Sequence, residues 1–148
     1  MTKEILLSIA GLHLVDGENG NVEIVTAGDY YSRNGKHYIL YDEVTEGLSG
    51  HTSNVIKVGN DSLEITKKGL TNARLVVEKG KKHVTTYQTP FGGIEIGLLG
   101  RGVDVRETED SIDIRAEYLL EINEENMAEC TILMNVKPRE AGSLKLQE

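Results

Sequence analysis

The chain predicts an all-β fold: a single antiparallel up-and-down β-barrel of about 8–10 strands. Three observations carry this. First, residues 111–122 (SIDIRAEYLLEI) and 127–136 (MAECTILMNV) alternate apolar and polar side chains. Ile112, Ile114, Ala116, Tyr118, Leu120 and Ile122 share one face, as do Ala128, Cys130, Ile132, Met134 and Val136. A period of two over such lengths marks a half-buried strand. Second, no helix-length segment shows a 3.6-residue period. Third, turn signals recur every 8–15 residues along most of the chain.

In chain order, the strand candidates are 3–15, 21–33, 36–46, 52–58, 62–67, 73–78, 82–89, 93–105, 111–122 and 127–137. They are separated by DGENGN at 16–21, RNGK at 33–36, GLSG at 47–50, GND at 59–61, KGLTN at 68–72, EKGKK at 78–82, ETED at 107–110 and NEEN at 123–126. Many short strands imply a sandwich or a barrel. Tight hairpins favour the up-and-down barrel, and long C-terminal strands call for a closed or coiled sheet that hides its edges. Asn34-Gly35 suits a two-residue type I′ turn. That turn sets Arg33 opposite Lys36, Tyr31 opposite Tyr38 and Gly28 opposite Tyr41. In the last hairpin both apolar faces use even numbers. A three-residue loop Glu124-Glu125-Asn126, with Asn126 left-handed, satisfies this and places Tyr118 opposite Ile132. Residues 1–138 form one domain, and 139–148 a polar tail.

The 148 residues carry a net charge of −8. Residues 1–51 hold −5, 52–91 hold +4 and 92–148 hold −7. An acidic majority argues against nucleic-acid binding, which relies on phosphate neutralisation. The basic middle (Lys57, Lys67, Lys68, Arg74, Lys79, Lys81, Lys82) reads as solvated side chains on hairpin ends. The N-terminus lacks a basic segment followed by a long apolar run, and no apolar run approaches the ~20 residues of a membrane helix. The single cysteine, Cys130, excludes an internal disulfide. Together these features predict a cytoplasmic protein without membrane partners. They specify no oligomeric state.

Familiar catalytic and cofactor patterns are missing. The run FGGIEIGLLGRG at 91–102 fits neither a P-loop nor a dinucleotide-binding fingerprint, and reads as glycines at bulges and bends. His13, His37, His51 and His83 are scattered, with no metal-ligand spacing. No cofactor and no metal is predicted. Cys130 on a core strand behaves as a small hydrophobe.

Two segments stand out. Tyr30, Tyr31, Tyr38 and Tyr41 cluster around one hairpin. Ile24, Thr26, Gly28 and Tyr30 share a face with Ile39, Tyr41 and Glu43; Val25, Ala27, Asp29 and Tyr31 share the other with Tyr38, Leu40 and Asp42. Either face brings tyrosines near a carboxylate. If that carboxylate lies inside the barrel, tyrosines and an arginine satisfy it or it awaits a ligand. In HVTTYQTPFGG at 83–93, His83, Thr85, Tyr87 and Thr89 form an unusually polar strand face. Pattern alone leaves open whether it points inward.

These strings resemble the YwiB-like family of small bacterial β-barrel proteins, a domain of unknown function. The resemblance rests on T-x-G-x-Y-Y at 26–31, Y-x-E at Tyr41 and Glu43, G-K-K-H-x-T-x-Y-x-T-P-F-G at 80–92 and Y-x-L at 118–120. It spans roughly residues 3–137, and TPFG is its most specific part. Where the family carries R-x-G after its middle strand, this chain has Lys67-Lys68-Gly69. The resemblance implies a calycin-like barrel, related in shape to lipocalins and fatty-acid-binding proteins, and no activity. No Trp serves a secreted-lipocalin signature, and no histidine follows His83 to ligate haem.

The expected function is non-catalytic binding of a small ligand at the barrel mouth, through Tyr41, Glu43, His83, Tyr87, Thr89 and Tyr118. A protein-interaction or structural module with a packed lumen is the alternative. A small hydrolase or isomerase pairing Glu43 with His83 ranks third and needs the two within hydrogen-bond reach.

Overall fold

The computed structural model describes residues 3–11, 23–44 and 50–139. The expected DGENGN turn, the outer ends of its flanking strands, most of GLSG and nearly all of the polar tail lie outside them.

Ten strands run through the described residues: β1 (Lys3–Ala10), β2 (Glu23–Arg33), β3 (Lys36–Glu43), β4 (Thr52–Gly59), β5 (Ser62–Gly69), β6 (Ala73–Glu78), β7 (Lys82–Thr89), β8 (Gly92–Glu107), β9 (Ile112–Ile122) and β10 (Glu125–Pro138). They form one sheet in the order β6-β5-β4-β3-β2-β1-β10-β9-β8-β7, with every pair antiparallel. Chain neighbours are sheet neighbours, and β1 joins β10. The remaining seam, between β6 and β7, is held by two isolated bridges, Asn72–Gln88 and Glu78–Lys81. This is the expected up-and-down barrel, nearly closed.

Alternation decides what faces inward. The core takes Ile5, Leu7 and Ile9 from β1, Ile56 and Val58 from β4, and Leu63 and Ile65 from β5. Strands β8, β9 and β10 add a dense aliphatic wall that includes Ile96, Leu98, Ile114, Ala116, Ile132 and Val136. Between Leu63, Leu75, Val77, Leu98, Tyr118 and Ile132 the lumen leaves a void of only about 10 Å³. That is the lower limit for one water molecule. Through its middle, the barrel is packed.

The first hairpin has the expected register as far as Asp29–Leu40, with Arg33 opposite Lys36 and Tyr31 opposite Tyr38; the expected Gly28–Tyr41 pair is not formed, because the ladder ends before it. Asn34 and Gly35 take φ of 52° and 76°, as a type I′ turn requires. The Tyr31 and Tyr38 rings stack 4.7 Å apart on the outer wall. The last hairpin differs from expectation. Its loop is the two residues Asn123-Glu124, with φ of 51° and 71°, and Ile122 pairs with Glu125. The ladder then shifts between Asn126 and Ala128, so Tyr118 faces Cys130, and Ile132 faces Ala116. A tight turn followed by a bulge thus restores the even-to-even pairing that the longer loop was invoked to supply. Ala128, expected in the core, is exposed near this turn.

The glycine run behaves as expected. The β8–β9 ladder shifts between Gly100 and Gly102. At Gly100 a Cβ would lie 2.2 Å from the Glu78 carbonyl oxygen, so β8 passes under the β6–β7 turn only because that position has no side chain.

Candidate functional site

The alternation left open at β2 and β3 resolves with Tyr30, Ile39 and Tyr41 inside. Gly28 makes room for this arrangement: a Cβ there would meet the Leu40 carbonyl oxygen at 2.5 Å and Tyr41 Cβ at 3.3 Å. Glu43, at the end of β3, then turns toward the interior at one mouth of the barrel.

There it meets two groups that sequence reasoning missed. Lys67 Nζ, on β5, lies 2.5 Å from Glu43 Oε1 and donates to Asn54 Oδ1 at 2.8 Å. Asn54 Nδ2, on β4, donates to the same Glu43 oxygen at 2.8 Å and to the Thr52 carbonyl at 3.3 Å. Lys67 is 3% exposed and Asn54 1%. The lysine read as solvated is therefore among the most buried polar side chains. Lysine and asparagine satisfy the inward carboxylate, not tyrosines and arginine. Alternation of β5 (Leu63, Ile65, Lys67) was the available signal; it puts Lys67 on the apolar face.

Tyr41 sits beside this cluster. Its hydroxyl is buried and has no hydrogen-bond partner among the described residues. Burial, then the neighbouring Glu43 carboxylate and Tyr87, push its pKa far above the phenol range. Tyr87 is pushed up to about 12, by burial and then by Glu43. Tyr41, Glu43 and Tyr87 thus share one end of the barrel with Asn54 and Lys67.

The other expected site residues go elsewhere. The face of His83, Thr85, Tyr87 and Thr89 does point inward, yet it stays half exposed at the β6–β7 seam. His83 Nε2 lies 3.0 Å from Glu78 Oε1, near the opposite end. It lies four positions from Tyr87, about 13 Å of strand. The Glu43–His83 acid–base pair is therefore not assembled. Thr89 Oγ1 donates to the Gly92 carbonyl at 2.9 Å and accepts from the Phe91 N–H at 3.1 Å, which closes the β7–β8 turn. Tyr118 is 1% exposed in the packed middle, opposite Cys130. Burial pushes both the Tyr118 hydroxyl and the Cys130 thiol up.

A second polar chain closes the far end. Tyr30 Oη and His37 Nδ1 are 2.7 Å apart, and His37 Nε2 is 2.8 Å from Glu107 Oε1. Among the described residues, no group of three or more His, Cys, Asp or Glu is placed to hold a metal ion. Among the described residues, two recesses on the outer wall stand out. One, of about 490 Å³, lies over β8, β9, β10 and β1 between Asp104, Arg106, Asp113 and Arg115. The other, of about 390 Å³, lies between Ala27–Asp29 of β2 and Leu40–Asp42 of β3, and reaches Asn54.

The family model for a domain of unknown function, DUF1934, matches residues 7–134. The chain belongs to the DUF1934 family. The crystal structure of the ywiB protein from Bacillus subtilis has the same fold as this DUF1934 chain. The two are 18% identical, with 94% of each chain covered and a TM-score of 0.77. The comparison with curated proteins finds no match.

Proposed function

We propose that this barrel binds a small polar ligand, without catalysis, at the mouth formed by Tyr41, Glu43, Asn54, Lys67 and Tyr87. The observation that carries the reading is the Tyr41 hydroxyl, buried without a partner among the described residues, beside the Lys67–Glu43 ion pair. An unsatisfied buried hydroxyl costs about 1–3 kcal/mol, and such groups cluster where a ligand completes the network. The donor and acceptor inventory suggests the ligand's chemistry. Two of the three Lys67 N–H bonds are directed at Glu43 and Asn54, and Glu43 uses one carboxylate oxygen for both contacts. A small molecule with one acceptor and one donor group would match the third Lys67 N–H, the tyrosine hydroxyls and Glu43 Oε2. The packed middle keeps it shallow. The reading includes a cytoplasmic location, which a lone buried cysteine supports. Among the described residues no helix is long and apolar enough to cross a membrane.

The packed lumen favours a second reading, a structural or interaction module whose polar mouth only holds strands together. Native mass spectrometry of the wild type and Tyr41→Phe separates the two. Under the binding reading, the variant melts at or above the wild-type temperature. Native mass spectrometry of freshly purified wild type then shows a retained small molecule that the variant lacks. Under the structural reading the wild type carries nothing, and the variant, which loses no hydrogen bond among the described residues, keeps its stability as well, so the mass spectrum decides. An empty wild-type barrel rejects ligand binding.

A further inference from the structure

The recess between β2 and β3 is bordered by two bare strand edges. Strand β2 pairs with β1 along Glu23–Tyr30, but with β3 only along Asp29–Arg33. The two-residue turn makes Arg33–Lys36 a hydrogen-bonded pair, so odd residues of β2 and even residues of β3 aim their N–H and C=O groups at each other. Beyond Asp29–Leu40 the ladder stops. The backbone groups of Val25 and Ala27 on one side, and of Asp42 on the other, face the split with no ladder partner among the described residues. The Ala27 carbonyl accepts from the Thr26 hydroxyl at 3.3 Å.

Edges of this kind are ordinarily blunted by lysine, proline or a covering element. Here the outward residues are Val25, 64% exposed, and Ala27, with Val44 at 78% beyond the end of β3. The flanking charges are Asp29 and Asp42, both exposed and in no ion pair among the described residues. Residues 1–51 carry −5 in all. A second copy docking its own β2 edge would oppose one acidic segment to another.

We infer that this split is a strand-addition site for an extended, basic peptide segment of a partner protein. The peptide pairs its backbone with Val25 and Ala27, places alternate apolar side chains over Val25, and sets lysines or arginines against Asp29 and Asp42. The recess opens on the outer wall and reaches Tyr41 and Asn54 of the mouth, but the groups that would pair with the peptide are the backbone of Val25 and Ala27, not the mouth side chains.

The test uses a fluorescent eight-residue peptide that alternates lysine with valine and threonine, and its glutamate counterpart, read by fluorescence anisotropy. Ala27→Pro removes the N–H that faces the split while leaving the even-residue bonds to β1. We expect saturable binding of the lysine peptide alone, weakened at least 10-fold by Ala27→Pro and several-fold by Asp29→Asn/Asp42→Asn, with unchanged melting temperatures. Hydrogen exchange on the wild type is a second readout should Ala27→Pro fail to fold: the peptide should slow the Val25 and Ala27 amides. No binding overturns the proposal, as does equal binding by Ala27→Pro, which would reduce the contact to charge. Amides of Val25 and Ala27 already protected in the peptide-free monomer would mean that the chain covers its own edge. A dimer dispersed by Ala27→Pro would assign the edge to a second copy. Either outcome rejects the peptide.

Discussion

Tyr41, Glu43 and Lys67 show how one side chain's surroundings set its role. Composition makes Lys67 a solvated basic residue, whereas its place in the Leu63–Ile65–Lys67 alternation puts it on the apolar face; only the carboxylate that β3 delivers to it makes that interior position tolerable. Breaking a buried pair leaves a lone charge, whereas removing both partners does not. Glu43 is a third exposed, which softens the effect. We therefore expect Glu43→Gln alone, or Lys67→Met alone, to cost about 1–3 kcal/mol, and Glu43→Gln/Lys67→Met to cost less than either, in a double-mutant cycle of urea melts. Tyrosine ionisation supplies a pH prediction. The folded-state pKa values of Tyr41, Tyr87 and Tyr118 lie above the ordinary value of 10.0. The unfolded chain then releases these protons first, so their contribution is whole below pH 10 and is lost as pH rises through the folded values. Stability should fall steeply above pH 10, with Tyr87 contributing up to about pH 12. Urea melts between pH 8 and 12, beside phenolate absorbance, measure this; a flat profile would contradict these buried hydroxyls.

At the scale of the element, strands were read almost to the residue because alternation is local. Ile114 is 1% exposed and its neighbour Asp113 is exposed. Ile114→Asp should cost several kcal/mol by burying an unpaired charge, and Asp113→Ile less than about 1 kcal/mol, in spite of the 2.7 Å bond from Asn135. Turn chemistry was legible where the residues were ideal, at Asn34-Gly35, and misread where they were not, at Asn123-Glu124. Glu124 adopts a left-handed φ of 71° that costs a residue with a Cβ about 1 kcal/mol. Glu124→Gly would create the preferred Asn-Gly turn and should raise stability by up to about 1 kcal/mol, seen as a higher urea midpoint. An unchanged or lower midpoint would mean that the turn imposes no such strain.

Over the whole molecule, cohesion is uneven. Strands β8, β9 and β10 are paired along long ladders, whereas β6 and β7 meet only at two bridges. Between those bridges the bonding pattern aims the amides of Arg74 and Val76 at those of Val84 and Thr86 without ladder pairing. Hydrogen exchange should therefore be fast at Val76, Val84 and Thr86 and slowest in β9, because local opening follows missing bonds. Slow exchange at Val84 and Thr86 would show a seam closed in solution.

Local pattern suffices for the all-antiparallel meander, the inward faces of β9 and most of β10, and the register of the first hairpin as far as Asp29–Leu40. Each follows from period two or from turn residues, which act over a few positions. Tertiary structure decided the rest: that β1 closes on β10 rather than on a seam partner, that β2 parts from β3 at Gly28, and that Glu43, Asn54 and Lys67 meet while His83 does not. Those outcomes depend on barrel closure and coiling, which bring residues from separate strands to one end. No local pattern encodes that meeting, because its energy arises only once the strands share an interior.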